Sequence, residues 1–177
     1  MSGPESRLNN INIKRVREVV EEARKDPEVL KRKMSIRGTW NLDEGPQFRS
    51  KIKYEEGEAE IVVDLPKFMG GGGKAPSPLH ICLTGLTSCF AGTIASIASE
   101  KGVRLKRLEV TVEAAYDFSK TFGLSDKPII EGLEFRVDIE AENAEEPELS
   151  KIVDEASERC PAMYCLTKPI PVRVFIA

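Results

Sequence analysis

The side chains best suited to chemistry in this 177-residue chain are four thiols and one imidazole: Cys82, Cys89, Cys160, Cys165 and His80. Four cysteines in a chain of this length do not make a disulfide scaffold; they read as core thiols, metal ligands or redox catalysts. Zinc suits thiolates and imidazole, but the spacing argues against a structural metal. His80 and Cys82 are two positions apart and point to different sides of a helix, while Cys160 and Cys165 lack the short Cys-x-x-Cys bite. His80 then reads as a hydrogen-bonded surface or pocket residue.

Disulfide geometry sorts the thiols further. Cys82 and Cys89 share a helix face but lie about 10.5 Å apart along its axis, beyond the ~7 Å Cα limit for a bridge. Cys160 and Cys165 flank Pro161 on different sides of a helix and can bond only if the chain unwinds there. A catalytic disulfide within one chain therefore joins Cys89 to Cys160 or to Cys165, which requires the helices that carry them to pack together. Cys89 lies mid-helix, where burial raises a thiol's pKa and only a cation or hydrogen-bond donors restore the thiolate. Arg37 and Arg49 are the available cations. Cys160 falls near a helix C-terminus, a polarity that disfavours an anion and suits a resolving thiol better than an attacking one. Inert core cysteines remain the other reading, because free Cys is among the most buried residue types.

A second candidate is the glycine run in "MGGGGKAPSPLHICL", residues 69–83. A phosphate-cradling loop needs Gly, four residues, then Gly-Lys-Ser/Thr. Here Phe68 occupies the first position and Ala75 follows Gly73-Lys74, and Pro76 and Pro78 remove N–H donors where an anion would sit. No nucleotide site is expected. The glycines read as a flexible connection into the next helix.

The elements that position these residues follow from periodicity. Val16, Val19, Val20 and Ala23 recur at helical spacing, with Asn12 as N-cap and Asp26-Pro27 as the stop. "KMSIRGTWNL" and "QFRSKIKYEE" around "DEGP" predict a hairpin, and "EAEIVVDL" a third strand. Leu79 to about Lys101 predicts a helix roughly 35 Å long at 1.5 Å per residue, closed by Gly102. It is apolar nearly all round and should be enclosed by other elements. Gly85, Ser88, Gly92, Ala95, Ser96 and Ser99 give it a low stripe on which another backbone can pack. Two long strands, "RLEVTVEAAYDF" and "IIEGLEFRVDIEAE", precede the helix "EPELSKIVDEASERC" and a closing strand "IPVRVFIA". The strands do not alternate regularly with helices, so the class is α+β.

Composition bounds the rest. The 41% hydrophobic content fills one compact core, and 26 basic against 29 acidic residues, interspersed, point to neither nucleic acid nor an anionic membrane surface. From Ala75 to Ser99 there is no Asp, Glu, Lys or Arg, but Thr84, Gly85, Thr87, Ser88, Gly92, Thr93, Ser96 and Ser99 interrupt the run, which reads as a buried soluble helix rather than a span. The start, "MSGPESRLNNINIKR", lacks the basic and apolar regions of a signal peptide, and a cytoplasmic location is expected.

The segments "APSPLHICLTGLTSCFAGTIASIASEKGV", "ASERCPAMYCLT" and "PIPVRVFI" together resemble the OsmC/Ohr family, the osmotically induced and organic hydroperoxide resistance proteins. The resemblance covers residues 34–177 and leaves 1–33 as an N-terminal helical extension. It implies an OsmC-like fold in which two chains intertwine as a homodimer, with curled antiparallel sheets around buried central helices. It also implies a cofactor-free peroxidase. Cys89 attacks the hydroperoxide and becomes a sulfenic acid, and Cys160 condenses with it to a disulfide. Small dithiols or lipoylated proteins are the implied reductants. Arg49 is the nearest counterpart of the arginine that holds the thiolate, with Arg37 as its alternative. The family's glutamate at the start of the central helix is absent: Leu79 and His80 stand there, and neutral His80 is the acceptor available to the arginine. Cys165 reads as a core residue or an alternative resolving partner. A non-peroxidatic member that binds a small molecule or senses redox state is the other function class the resemblance allows.

Overall fold

The computed structural model describes residues 7–176, so the first six residues of the N-terminal extension and the final alanine lie outside the described residues. The chain is α+β and divides into two compact units: the residues up to Glu18 with those from Gly85 onward, and Val19–Thr84.

The first unit is built on a long antiparallel hairpin of β6, Leu105–Tyr116, and β7, Ile130–Ala141. Alternation places Leu108, Val110, Phe135, Val137 and Ile139 on one face. Against that face pack the C-terminal half of α2, Pro78–Glu100, and α3, Glu146–Arg159. Phe90, Ile94, Ile97 and Ala98 from α2 meet Leu149, Ile152, Ala156 and Cys160 in one buried cluster. Phe90 sets its ring edge-on to Phe135, with centroids 5.7 Å apart at 84°. Gly102 takes φ 74° and closes α2 as expected, and the Val103 N–H returns to the Ala98 carbonyl. A short α4, Pro161–Thr167, follows α3 directly.

A two-residue hairpin that the sequence reading passed over, β1 Arg7–Leu8 and β2 Ile11–Asn12, turns through Asn9 and Asn10, both with positive φ. Asn-Asn between Leu8 and Ile11 was the available signal. Asn9 is the anchor. Its amide nitrogen donates to Ser99 Oγ (3.0 Å) and to the Val103 carbonyl (2.8 Å), and its oxygen accepts from the Leu105 N–H (2.9 Å). Helix α1, Ile13–Lys25, then starts with the Asn12 side chain accepting from the Arg15 N–H, the expected cap.

The second unit holds the three-stranded antiparallel sheet β3 Arg37–Trp40, β4 Phe48–Tyr54 and β5 Gly57–Val63, in the order β3-β4-β5. After β5 comes the glycine run, and it is a specific turn rather than the flexible connection expected. Gly70 and Gly73 have φ of 84° and 62°, and a Cβ on Gly71 would meet the Leu65 carbonyl oxygen at 2.0 Å. Gly73 N–H donates to the Leu65 carbonyl, and buried Asp64 accepts from the Lys74 N–H at 2.8 Å.

Two further expectations change. Among the described residues, none buries the first half of helix α2: its buried residues begin at Phe90, and its first three turns are exposed or half-buried. It is long and apolar enough to cross a membrane, with a mean hydropathy of 1.7 and 22% burial over its apolar window. The closing segment forms no strand among the described residues. Pro169 and Pro171 remove two donors, and the apolar side chains of Val172 and Val174 are 80% and 89% exposed.

Candidate active site

Cys89 lies midway along α2, one position before the core residue Phe90, and Cys160 is the residue at which α3 stops and α4 begins. Because α2 and α3 share one core, the two sulfurs meet at 3.6 Å although they are 71 positions apart. Of the two pairings left open by spacing, this is the one the fold assembles. Cys165 sits on the exposed side of α4 and Cys82 on the exposed part of α2. All four thiols are free.

The two sulfurs differ in their surroundings. Cys160 is fully buried and Cys89 is half-buried, so an incoming reactant reaches Cys89 first. Burial pushes the Cys89 thiol above its ordinary pKa, and Cys160 and Cys165 add to that, against a donated Ala162 N–H. Burial acts on Cys160 in the same direction, but there the donors win. The Met163 N–H, the Cys89 thiol, the Thr93 hydroxyl and the Ala162 N–H hold it below the ordinary thiol value. The expected polarity at this position is therefore reversed. Cys160 does close α3, yet it also occupies the N-cap position of α4, at the end of a helix that favours an anion. The Cys-Pro step hid this from the sequence reading, because Pro161 looks like a helix stop when it is the first residue of a new helix.

Thr93 is the site residue that sequence reasoning missed. It stands one turn after Cys89, its hydroxyl donates to the Cys89 carbonyl at 3.0 Å, and it is among the groups that lower the Cys160 thiol. The i, i+4 spacing from Cys89 was the only signal.

The candidate arginines belong to the second unit. Arg37 on β3 and Arg49 on β4 line one cavity of about 330 Å³ with Thr39, Ser50, Lys51 and Glu60. Register sets Arg37 directly opposite Lys51 and Thr39 opposite Arg49. Arg49 is paired with Glu60 at 2.9 Å and Lys51 with Glu58 at 3.2 Å. A cation facing a cation across a strand pair is unfavourable, and Glu58 offsets it here by pairing with Lys51.

His80 is exposed in the first turn of α2, and its Nδ1 accepts from the Ser77 N–H at 3.2 Å. A neutral ring with Nδ1 accepting carries its proton on Nε2, which is then a donor. Ser77 thus engages Nδ1 through both its N–H and its hydroxyl. Among the described residues, no three or more His, Cys, Asp or Glu side chains gather to hold a metal ion.

Comparison with known proteins matches residues 71–175 to the family model described as OsmC-like protein. A search of curated proteins finds no match. Among solved structures, the fold is similar to an OsmC-like protein from Mycoplasma pneumoniae, with 24% identity, TM-score 0.59, and coverage of 77% of this chain and 89% of that one. It is also similar to an organic hydroperoxide resistance protein OsmC from Legionella pneumophila, at 18% identity and TM-score 0.56, covering 77% and 92%. An OsmC-like protein of unknown function from Vibrio cholerae matches at 13% identity and TM-score 0.56, covering 75% and 92%. At these identities the structural likeness establishes the fold.

Proposed function

Because the chain belongs to the OsmC-like family, we propose that it is a cytoplasmic thiol-dependent peroxidase that reduces organic hydroperoxides through Cys89 and Cys160. The observation that carries this reading is the 3.6 Å approach of a half-buried sulfur to a fully buried one. The accessible Cys89 thiolate attacks the terminal oxygen of R–O–OH. The O–O bond breaks, alkoxide leaves and is protonated to the alcohol, and Cys89 becomes the sulfenic acid. Cys160 then attacks that sulfur, displaces hydroxide and closes the disulfide. An external dithiol or a lipoylated protein returns both thiols.

Arg49 is assigned as the cation that offsets the raised pKa of Cys89, drawn from the basic face it shares with Arg37. Arg37, the His80 Nε2 donor and the exposed Cys165 are assigned to the substrate side. A homodimer is part of the proposal. The uncovered first half of α2 and the exposed apolar tail at Val172–Ile176 are the surfaces a second chain would bury. The absence of a carboxylate at Leu79 and His80 favours a second reading, in which the same pair serves as a redox sensor or lines a small-molecule site.

The test is intact mass after one equivalent of cumene hydroperoxide. Wild type is expected to lose two hydrogens. Cys160→Ser is expected to stop at the sulfenic acid or over-oxidise, and Cys89→Ser to stay unmodified. A free Cys89 after treatment rejects the peroxidase reading, and a disulfide formed only by thiol exchange favours the sensor.

A further inference from the structure

Returning a Cys89–Cys160 disulfide to two thiols requires a nucleophile to reach one of its sulfurs, and the two are not equally reachable. Cys160 is 0% exposed and belongs to the buried cluster with Ile152 and Ala156, whereas Cys89 is half-buried and packs against the border of that cluster. Exchange at a disulfide also has a direction, because the attacking atom, the attacked sulfur and the leaving sulfur line up. Attack on Cys89 comes from its solvent side and pushes Cys160 back toward the place it holds in the reduced pair, 3.6 Å away. Attack on Cys160 would have to arrive through close-packed side chains.

We propose that Cys89 is the sulfur attacked in both half-reactions: the reductant bonds to Cys89, and Cys160 is the leaving group. In recycling, one thiolate of an external dithiol donates its electron pair to the Cys89 sulfur. The Cys89–Cys160 bond breaks, Cys160 takes the bonding pair as a thiolate, and a mixed disulfide joins the reductant to Cys89. The second thiolate of the reductant then attacks the reductant's own sulfur in that bond, and Cys89 leaves as a thiolate. The reductant ends as a cyclic disulfide, and its two protons pass to Cys89 and Cys160. The dithiol is oxidised and the pair is reduced. The inference rests on the peroxidase reading for the origin of the bond, but not for the place at which it is cleaved.

The same separation decides which reductants succeed. A Cys160 thiolate freed 3.6 Å from Cys89 attacks the mixed disulfide, expels a monothiol and restores the starting bond. A dithiol escapes this return because its second thiol is tethered to the mixed disulfide and competes intramolecularly. The groups that hold Cys160 below the ordinary thiol value act in the same direction, since a thiol of lower pKa leaves faster. Cys82 and Cys165 are exposed free thiols and take no part in the bond that is cleaved.

The test uses sulfite, which cleaves a disulfide in one step, leaving an S-sulfonate on the sulfur it attacks and a thiolate on the other. The full chain is oxidised with diamide, which makes the bond without hydroperoxide, and peptide mapping verifies the Cys89–Cys160 link. After brief sulfite treatment of the folded protein, acid quench and alkylation in denaturant, fragment masses should place the sulfonate on Cys89 alone and the alkyl group on Cys160. The same protein unfolded in guanidinium chloride should carry sulfonate on both residues, because burial no longer distinguishes them. Sulfonate on Cys160, or equally on both, in the folded chain overturns the proposal, as does a bond that resists sulfite when folded or an unchanged preference when unfolded. Failure of diamide to link the pair overturns it as well. If hydroperoxide leaves the pair reduced while the diamide-made bond is cleaved at Cys89, the peroxidase reading fails and the site of attack stands.

Discussion

Oxidising the Cys89–Cys160 pair should stabilise the chain by an amount that its geometry bounds. The bond ties two points 71 positions apart, and the chain-entropy relation for a loop of that size gives about 4.4 kcal/mol at 25 °C. The native structure must contribute a small movement, because the sulfurs stand 3.6 Å apart and a disulfide needs about 2.05 Å. That closure is resisted by Ile152, Ala156 and Cys160, which are all fully buried in the shared core. Part of the entropic gain is lost to it, leaving roughly 2–4 kcal/mol. For a chain of this size, that corresponds to a rise in melting temperature of about 4–16 °C. The assay is calorimetry of the oxidised and the dithiothreitol-reduced protein at one protein concentration, with Cys160→Ser treated identically. Oxidised wild type melting with the reduced form would refute the pairing, as would an equal rise in Cys160→Ser.

Three further outcomes are expected. Arg49→Ala should move the pH midpoint of Cys89 alkylation upward: burial already raises this thiol, the proposed cation lowers it, and deleting the cation leaves burial unopposed. An unchanged midpoint removes Arg49 from the site. Asn9→Ala deletes three hydrogen bonds that join the first hairpin to Ser99, Val103 and Leu105, and should cost about 1–3 kcal/mol in urea unfolding; a loss under a few tenths would contradict the anchoring. Gly71→Ala places a Cβ against the Leu65 carbonyl and must open the turn, so the amides of Gly73 and Lys74 should lose hydrogen-exchange protection. Wild-type protection there would rule out the turn as described.

The sequence made the long elements readable because their signals are local. Helix α2 is one uncharged run ended by a glycine, and β6 and β7 alternate side chains over 12 residues each. The pairing of Cys89 with a thiol on the second helix followed from helical rise alone, but the choice between Cys160 and Cys165 needed tertiary placement. Two features resisted for a common reason: the same residues serve two local structures. Cys160 ends one helix and begins another, and the glycine run is both linker and hydrogen-bonded turn. The uncovered half of α2 and the unpaired tail read as core helix and strand because pattern reports what a segment would bury, not which chain supplies the cover.

The Asn9 anchor also constrains the order in which the molecule is made. Its three partners lie 90, 94 and 96 positions downstream, so these three bonds cannot all form until Leu105 has emerged from the ribosome. At roughly 5–20 residues per second, that is a wait of about 5–20 s. During this interval, the sheet of β3, β4 and β5, whose pairings span at most 15 positions, has ample time to form. The β1–β2 hairpin is thus synthesised ahead of that sheet and docks after it.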